Sequence, residues 1–297
     1  MTDIAMTIPD LHAAYARGVS PEQIIAQVYT RLREVDDPCI FLSMASEADA
    51  QAAAAALGPY DPAKPLWGVP FAVKDNIDVA GYETTAACPA YAYTPTQDAF
   101  VVAKLREAGA IFIGKTNLDQ FATGLVGVRT PYGAPRNSID PEIVPGGSSG
   151  GSGVAVGHGI VAFSLGTDTA GSGRVPAALN NIVGLKPTLG ALSATGVVPA
   201  CRSVETVSIF ALTVADAYTA FTVACAYDAA DAYARHIPAP PLAAPKSAPV
   251  IGIPSRDSIR FSGDAVQEAS FNAAVDLLRG QRAEIREIDF TPLYDVA

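Results

Sequence analysis

The stretch PGGSSGGSGVAVGHGIVAFSLGTDTAGSGRVP (Pro145–Pro176) places an apolar segment between two loops rich in glycine, serine and threonine. Glycine and serine runs usually behave as flexible, disordered linkers. The neighbours of the first run are apolar instead, because Val154–Leu165 is rich in valine, alanine, isoleucine and phenylalanine. The pattern therefore predicts two ordered loops at the ends of a buried segment, each of which carries serine hydroxyls.

Short apolar runs without polar alternation recur along the chain, as expected for strands that are covered on both faces. The candidate strands are PFAVK (Pro70–Lys74), AIFIG (Ala110–Gly114), IVAFSLG (Ile160–Gly166), SIFALT (Ser208–Thr213) and PVIGIP (Pro249–Pro254). Helical patterns separate them, and this alternation indicates an α/β fold. We predict a mixed, largely parallel central sheet that is covered by helices on both faces.

Capping signals and apolar spacing locate the helices. Ser20–Gln23 has the form of a capping box with proline at the first helical position. Asp98 is the expected cap of a helix that runs through Ala108. Further helices are predicted over Glu47–Leu57, Val214–Tyr227 and Asp264–Leu278. The proline-rich stretch Ile237–Pro249 predicts an extended surface connector.

Composition narrows the class of protein. The chain has 297 residues, of which 49% are hydrophobic, enough for a sizeable core. A net charge of −10 argues against a nucleic-acid surface, and no apolar run reaches the length of a membrane span. The start MTDIAMTIPD lacks the basic-then-apolar order of a signal peptide. Four cysteines without a CxxC pair favour reduced thiols and a cytoplasmic location.

The three histidines are poor candidates for catalytic or metal-binding residues. His12, His158 and His236 show no metal-ligand spacing, and each is more typical of a structural residue. A Ser–His–Asp mechanism therefore has little support, and we expect no metal.

The two small-residue loops allow three interpretations. A phosphate-binding P-loop needs a closing Lys-Ser/Thr pair, which Gly146–Gly153 lacks, and the GxGxxG dinucleotide pattern matches only loosely. A linker does not fit the apolar flanks. Nucleophilic catalysis fits better, because Ser172 lies among Ala170, Gly171 and Gly173, where a carbonyl substrate can approach the backbone.

Three long motifs carry a resemblance to a known family. GVPFAVKDNID (Gly68–Asp78), PGGSSGGSG (Pro145–Gly153) and GTDTAGSGRVPAALNNIVGLKPT (Gly166–Thr188) together resemble the amidase signature family over roughly Trp67–Ala217. The resemblance implies a Ser–cisSer–Lys triad. Lys74 matches the motif lysine, Ser148 the serine after a cis peptide bond, and Ser172 the nucleophile, with the family's separation of 24 residues (172 − 148).

The resemblance also implies a division of the chain. Residues 1–297 would form one amidase signature domain that is incomplete at its C-terminus. Within it we expect an N-terminal helical part over 1–60, a catalytic core over 61–230 and the connector over 237–249.

The chemistry of such a triad is coherent by itself. A lysine acts as a base near pH 7 only if burial leaves it neutral, and Lys74 ends a buried strand. Ser148 would relay the proton from Ser172 to Lys74. The N–H groups of Thr169, Ala170, Gly171 and Ser172 are the candidate oxyanion hole. Ser149, Asp168 and Arg174 are expected supporting residues, with Asp168 and Arg174 paired to brace the loop. Lys115 and Lys186 are more typical of structural lysines.

Three other stretches resemble the allophanate hydrolase branch of the family. They are TTAACPAYAYTP (Thr84–Pro95), GKTNLDQFATGLVGVRTPYGAPRN (Gly114–Asn137) and VVPACRSVETVSIFALTVADA (Val197–Ala217). This resemblance implies release of ammonia from allophanate in urea or s-triazine degradation, by a homodimer with no cofactor. Gly124 is the candidate substrate-binding residue. The branch's Tyr and Arg for the substrate carboxylate would fall beyond Ala297, which leaves Arg129, Arg136 and Arg202 as candidates.

Three alternative functions remain open. A Glu-tRNA(Gln) amidotransferase catalytic subunit shares the triad, although it usually has TGGS followed by R-Q-P where this chain has TAGSGRVPAALNN. A broad-specificity amidase would turn over neutral amides faster than allophanate. A catalytically inactive fragment would never be labelled at Ser172 by a serine-directed probe.

Overall fold

The computed structural model describes residues 3–244 and 246–296, which divide into a first unit that ends at Ala239 and a second that begins at Pro240. The first unit contains helices α1 (Ile8–Ala16), α2 (Pro21–Val35), α3 (Glu47–Ala55), α4 (Phe100–Glu107), α5 (Gly150–Gly157), α6 (Arg174–Leu179) and α7 (Val214–Ala224). Its strands are β1 (Phe41–Met44), β2 (Pro70–Lys74), β3 (Ile111–Thr116), β4 (Phe163–Thr167), β5 (Val183–Leu185) and β6 (Val207–Ala211). Short 3-10 turns cover Pro89–Tyr91 and Gln120–Ala122.

The six strands form one mixed sheet in the order β1-β3-β2-β4-β6-β5. Strand β2 pairs in parallel with both β3 and β4, while β1 and β6 are antiparallel to their neighbours. Four of the six described strands, all except β1 and β6, therefore run in one direction. Helices flank the sheet, with α5 against β2 and β4 and α7 against β5 and β6. The α/β prediction is confirmed.

Four of the five apolar runs without alternation are strands of this sheet, whereas PVIGIP (Pro249–Pro254) forms a strand of the second unit in which no residue is buried. Every residue of β2, β3, β4 and β6 is buried, as the sequence pattern predicts. Phe71 on β2 stacks on Phe163 of β4 with ring centroids 5.2 Å apart and meets Phe112 of β3 edge-on. Burial of one such ring contributes about 1.5–3 kcal/mol to folding. This packing fixes the position of the last residue of β2, which is Lys74.

One helix start differs from the prediction. The capping box at Ser20 is present, with Ser20 and Gln23 bonded to each other's backbone N–H groups. Asp98, in contrast, does not cap α4, whose N-cap is Ala99. The Asp98 carboxylate accepts the Ala80 N–H and pairs with Arg106 at 3.0 Å instead, so it is unavailable to the helix.

The second unit contains β7 (Val250–Pro254), α8 (Ala265–Gly280), β8 (Glu284–Ile288) and α9 (Thr291–Val296). Strands β7 and β8 pair in parallel, and the Asp264 carboxylate caps α8 through the Val266 and Gln267 N–H groups. The predicted connector has neither helix nor strand over 237–244 and 246–249, and Pro245 lies outside the described residues. No helix in the described ranges is long and apolar enough to cross a membrane.

Candidate active site

Lys74 emerges from the carboxyl end of β2 into a buried polar cluster. Its Nζ lies 2.7 Å from Ser148 Oγ and 2.8 Å from Thr167 Oγ1. Thr167 ends β4, the parallel neighbour of β2, and the carboxyl ends of parallel strands meet at one edge of a sheet. All three residues are fully buried. The structure thus brings together two of the three residues that the sequence motifs select as a triad, and adds a threonine.

Burial sets the charge of this lysine. Desolvation lowers the pKa of Lys74 from 10.5 to about 7, and the carboxylates of Glu205, Asp119 and Asp168 partly oppose that shift. At neutral pH a substantial fraction of the amine is therefore unprotonated. An amine with a pKa near the working pH can both accept and return a proton, which is what a general base requires.

The loop that carries Ser148 has a backbone that needs glycine. The Gly147–Ser148 peptide bond is cis, and Gly146 has a φ of +81°. A Cβ on Gly147 would collide with Asp119 Oδ2 and with the Gly127 amide nitrogen. The loop is tied in place by two backbone bonds: the Asp119 N–H donates to Ser148 O at 3.0 Å, and the Gly147 N–H donates to Leu125 O at 2.9 Å. Gly146 and Gly147 of PGGSSGGS thus belong to an ordered loop, whereas Gly150 and Gly151 begin α5.

Ser172 lies beside this loop and is the triad candidate that reaches solvent. The Ser149 N–H donates to the Ser172 carbonyl oxygen at 3.3 Å, which joins the two serine loops. Ser172 retains 4% of its surface, whereas Lys74 and Ser148 retain none. No side-chain hydrogen bond within the described residues involves Ser172 Oγ, and this atom is not among the fully buried polar atoms that lack a partner. Its hydroxyl is therefore uncommitted and at the edge of the buried cluster.

The N–H groups that precede Ser172 are not equivalent. The Gly171 N–H donates to Asp168 Oδ1 at 2.8 Å, so it is engaged and is not free to bind an oxyanion in this structure. No hydrogen bond within the described residues uses the N–H groups of Thr169, Ala170 or Ser172. The physical reason is the buried Asp168 carboxylate, which draws the Gly171 amide inward. The candidate oxyanion donors are accordingly Thr169, Ala170 and Ser172.

Asp168 and Arg174 brace the same loop. Arg174 Nε and Nη2 each lie 3.0 Å from the Asp168 carboxylate, which also accepts the N–H groups of Gly173 and Arg174. Burial by itself would raise the pKa of Asp168, but the hydrogen bonds from Arg174 and Gly173 hold it below its ordinary value. Ser149 Oγ donates to Thr167 O at 3.2 Å and accepts the Thr167 N–H at 3.3 Å. These three residues hold the loops rather than contact Lys74.

The three candidate arginines differ in their hydrogen bonds and exposure. Arg136 is occupied, since its guanidinium donates to Val35 O and Asp36 O and lies 3.6 Å from Asp37. Arg129 is exposed, and its Nη1 donates only weakly to Thr123 O at 3.4 Å. Arg202 is also exposed. No arginine candidate contacts Lys74, Ser148 or Ser172 within the described hydrogen bonds.

Gly124 and the two other lysines have clear surroundings. Gly124 is half-buried, and a Cβ there would lie 2.5 Å from Asp119 Oδ2. Lys115 is fully buried and lies 3.1 Å from Asp75 Oδ1, where burial lowers the pKa of the lysine and Asp75 raises it. Lys186 makes one weak bond, to Pro187 O at 3.4 Å. Neither lysine joins the cluster around Lys74.

Comparison with known proteins identifies the family. A family model described as Amidase matches residues 23–296. The chain belongs to the amidase family. It is 54% identical over 234 residues to urea amidolyase of Saccharomyces cerevisiae, an alignment that covers 78% of this chain and 13% of that protein. A glutamyl-tRNA(Gln) amidotransferase subunit of Lysinibacillus sphaericus is 37% identical over 295 residues, which cover 97% of this chain and 61% of that protein.

Solved structures of amidase-family proteins agree with this fold. Allophanate hydrolase of Kluyveromyces lactis matches with a TM-score of 0.89 and 44% identity, over 99% of this chain and 49% of that one. The chain therefore spans about half of that allophanate hydrolase and about one eighth of the yeast urea amidolyase. The resemblance stated from the sequence motifs is confirmed at the level of family and fold.

Four residues of this amidase site were not selected from the sequence: Thr167, Asn76, Asp119 and Glu205. Thr167 had a usable signal, because it directly follows the predicted strand Ile160–Gly166 and stands in the same motif as Ser172. Asn76 follows Lys74 by two residues and donates to Thr167 Oγ1 at 3.4 Å. Asp119 and Glu205 stand outside the three family motifs, and the sequence gives no sign that their carboxylates face Lys74.

Proposed function

We propose that this amidase-family chain hydrolyses amides with Ser172 as nucleophile, Ser148 as proton relay and Lys74 as base. The observation that carries the proposal is the buried 2.7 Å contact between Lys74 Nζ and Ser148 Oγ, with the loop of Ser172 bonded to the next residue, Ser149. The lowered pKa of Lys74 supports the same assignment.

The proposed cycle has an acylation step and a deacylation step, and both move protons along the route Ser172–Ser148–Lys74. Ser172 Oγ attacks the amide carbon as its proton passes to Ser148, and the proton of Ser148 passes to Lys74 Nζ. The N–H groups of Thr169, Ala170 and Ser172 hold the oxyanion. Collapse breaks the C–N bond, and the proton returns through Ser148 to the leaving nitrogen, which departs as ammonia from a primary amide. Water then attacks the acyl-enzyme by the same proton route and releases the acid.

We propose allophanate as the substrate. Support comes from the identity to urea amidolyase and to allophanate hydrolase, at 54% and 44%. The site also suits a small primary amide, because Lys74 and Ser148 are fully buried and, of the three triad candidates, Ser172 alone keeps any exposed surface. The proposal includes a homodimer without cofactor, nucleic acid or membrane partner, in the cytoplasm, where the four free cysteines would stay reduced.

A second candidate is the ammonia-releasing subunit of a Glu-tRNA(Gln) amidotransferase. The observation in its favour is 37% identity over 97% of this chain. It predicts a requirement for stable partner subunits and glutamine as the amide donor. A broad-specificity amidase is distinguished in turn by faster turnover of neutral amides.

Ammonia release from allophanate, glutamine and acetamide, measured side by side, tests the proposal. We expect allophanate to give the highest kcat/KM, and Ser172→Ala to lower kcat by about 10³-fold or more. Ammonia release that is unchanged in Ser172→Ala contradicts the nucleophile. Preference for glutamine supports the amidotransferase alternative, and preference for acetamide supports the broad amidase. Sedimentation of the purified chain checks the homodimer.

A further inference from the structure

The β4–β6 pairing continues beyond the last residue of β4. The register ends at Thr167 opposite Val207, yet the Asp168 N–H still donates to Thr206 O at 2.8 Å. One residue further, Thr169 Oγ1 donates to Glu205 Oε1 at 2.9 Å. A side-chain hydrogen bond therefore replaces the backbone bond at the point where the chain leaves the sheet and enters the loop of Ser172.

The other oxygen of Glu205 holds a different loop. Glu205 Oε2 accepts the Ala200 N–H at 2.7 Å, and the residue keeps only 5% of its surface exposed. Removing a carboxylate from water is costly unless its oxygens are hydrogen-bonded. Here each oxygen has one donor, and the two donors belong to segments that lie 31 residues apart (200 − 169).

The segment held by Glu205 is also tied to the lysine loop. The Val198 N–H donates to Asn76 O at 2.8 Å, and Asn76 Nδ2 donates back to Val198 O at 2.8 Å. Asn76 is two residues beyond Lys74. Residues 198–200 are therefore bonded to Asn76 at one end and to Glu205 at the other. Through Glu205, the strand end that carries Lys74 is connected to the side chain of Thr169.

Thr169 is the only residue of the loop from Thr169 to Ser172 whose side chain makes a hydrogen bond in the described structure, and its own N–H is free. A bond from the side chain fixes the orientation of that peptide group without occupying its amide hydrogen. We infer that Glu205 is a positioning residue that, through Thr169 Oγ1, aims the Thr169 N–H at the oxyanion. This inference rests on the proposed function, because it assigns one donor of the same site.

Substitutions at Thr169 separate positioning from simple stabilisation. Thr169→Val keeps the branched shape but loses the hydroxyl, and Thr169→Ser keeps the hydroxyl. We expect Thr169→Val to lower kcat by about 10- to 100-fold with KM changed less than about threefold, since losing one oxyanion donor outright costs about 10²- to 10³-fold. Thr169→Ser should stay within about threefold of the wild type. Glu205→Gln should resemble Thr169→Val, and the double variant should lose little more than either single one.

Thr195→Val is the matched control. Thr195 Oγ1 donates to Asp228 Oδ2 at 2.6 Å, the same kind of bond, and within the described residues Thr195 makes no hydrogen bond to Lys74, Ser148 or the loop of Ser172. We expect its kcat to equal that of the wild type. A Thr169→Val enzyme with unchanged kcat, a loss confined to KM, or an equal loss in Thr195→Val would overturn the inference.

The rate at which a fluorophosphonate labels Ser172 gives a second measurement that does not depend on the natural substrate. Its phosphoryl oxygen needs the same N–H donors, so Thr169→Val should slow labelling and Thr169→Ser should not. If the wild type is labelled but does not hydrolyse allophanate, the substrate proposal fails while the labelling rates still decide the role of Glu205. A wild type that is never labelled overturns both.

Discussion

Thr167 Oγ1 lies 2.8 Å from Lys74 Nζ, so the lysine has two hydroxyl partners rather than the one that the triad motif implies. The contact arises because β2 and β4 are parallel neighbours whose last residues meet at one sheet edge. Two partners hold a flexible four-carbon side chain in one orientation better than one, which suits the proposed role of Lys74 as the base for Ser148.

The first prediction concerns this second partner. Thr167→Val should lower kcat/KM for amide hydrolysis by about tenfold or more, because Lys74 gains a proton as Ser172 attacks and a hydrogen bond to the resulting charged group is worth about 1.5–3 kcal/mol. Thr167→Ser should retain most of the activity. Thr222→Val serves as a control, because the Thr222 hydroxyl bonds only to Tyr218 O along its own helix. Equal activity in Thr167→Val and the wild type would contradict a role for the second hydroxyl.

The second prediction is a pH profile. Because burial lowers the pKa of Lys74 to about 7, kcat/KM should rise with pH through about 7 as the amine loses its proton. The carboxylates that face Lys74 are those of Glu205, Asp119 and Asp168, and Glu205→Gln removes the largest opposing charge. The rise should then move to lower pH. Lys74→Arg should remain inactive across the range, since arginine stays protonated. The profile should be measured from about pH 5 to about pH 9, which is about two units either side of the expected midpoint. A flat profile over this range argues against Lys74 as base.

The third prediction concerns stability rather than turnover. The folded pKa of Lys74 lies well below its ordinary value of 10.5, so between about pH 7 and 10.5 the unfolded chain binds more protons than the folded one. The free energy of unfolding should therefore rise with pH in this window relative to a variant without the amine. Urea unfolding of the wild type and Lys74→Met at pH 7 and at higher pH measures this difference. Lys115 is present in both proteins, so its own titration cancels to first order. A difference that does not change with pH would show that Lys74 stays charged.

Particular residues show how far the sequence predicts this site. The apolar run PFAVK predicts the buried strand β2 with both of its ends, because two-face burial leaves a direct trace in composition. The motif glycines predict the ordered loop around Ser148. The Asp98 cap was wrong because local spacing cannot reveal that Ala80 and Arg106 would occupy the carboxylate. Which N–H groups of the Ser172 loop remain free likewise depends on the orientation of the Asp168 carboxylate, which the sequence does not reveal.

Two contacts that were missed join residues far apart along the chain. The Lys74–Thr167 contact joins positions 93 apart, and Thr169 and Glu205 are 36 apart. Such pairs are determined by strand order in the sheet, and a single sequence does not contain that order. Residue types at the loop, Asp168 among them, were therefore predictable, whereas the roles of Glu205 and Asp119 beside the lysine were not.

The fourth prediction uses the candidate substrate-binding glycine. A Cβ at Gly124 would lie 2.5 Å from Asp119 Oδ2, and this carboxylate also accepts the Gly127 and Arg129 N–H groups. Gly124→Ala should therefore displace Asp119 and, through the Asp119 N–H, the carbonyl of Ser148. We expect kcat/KM to fall by about tenfold or more, a loss of about 1.4 kcal/mol in transition-state binding. Gly280→Ala, where nothing lies within 4 Å of the added methyl, should have no effect on activity. Full activity in Gly124→Ala would show that the loops of Asp119 and Ser148 accommodate the methyl group without disturbing the site.

The fifth prediction tests the brace of the nucleophile loop. The buried Asp168 carboxylate accepts the N–H groups of Gly171, Gly173 and Arg174 in addition to the Arg174 guanidinium. In Asp168→Asn an amide NH₂ group replaces one of the two acceptor oxygens and faces N–H donors. The free energy of unfolding at pH 7 should therefore fall by about 2 kcal/mol or more. Glu107→Gln, which removes an exposed ion pair with Lys104, should change it by less than about 1 kcal/mol.

The pH dependence of the unfolding free energy distinguishes a charge effect from a packing effect at Asp168. Its pKa is held below the ordinary 3.8, so the stabilisation is complete at pH values above 3.8 and is lost only as pH falls through the lower folded value. The gap in unfolding free energy between wild type and Asp168→Asn should thus be constant from neutral pH down to about 4, close to the ordinary pKa of an aspartate, and shrink below it. Urea titrations across that range measure the gap. A gap that is unchanged at the lowest pH at which the protein folds would mean that Asp168 acts through its shape, and that Arg174 and the loop amides do not depend on its charge.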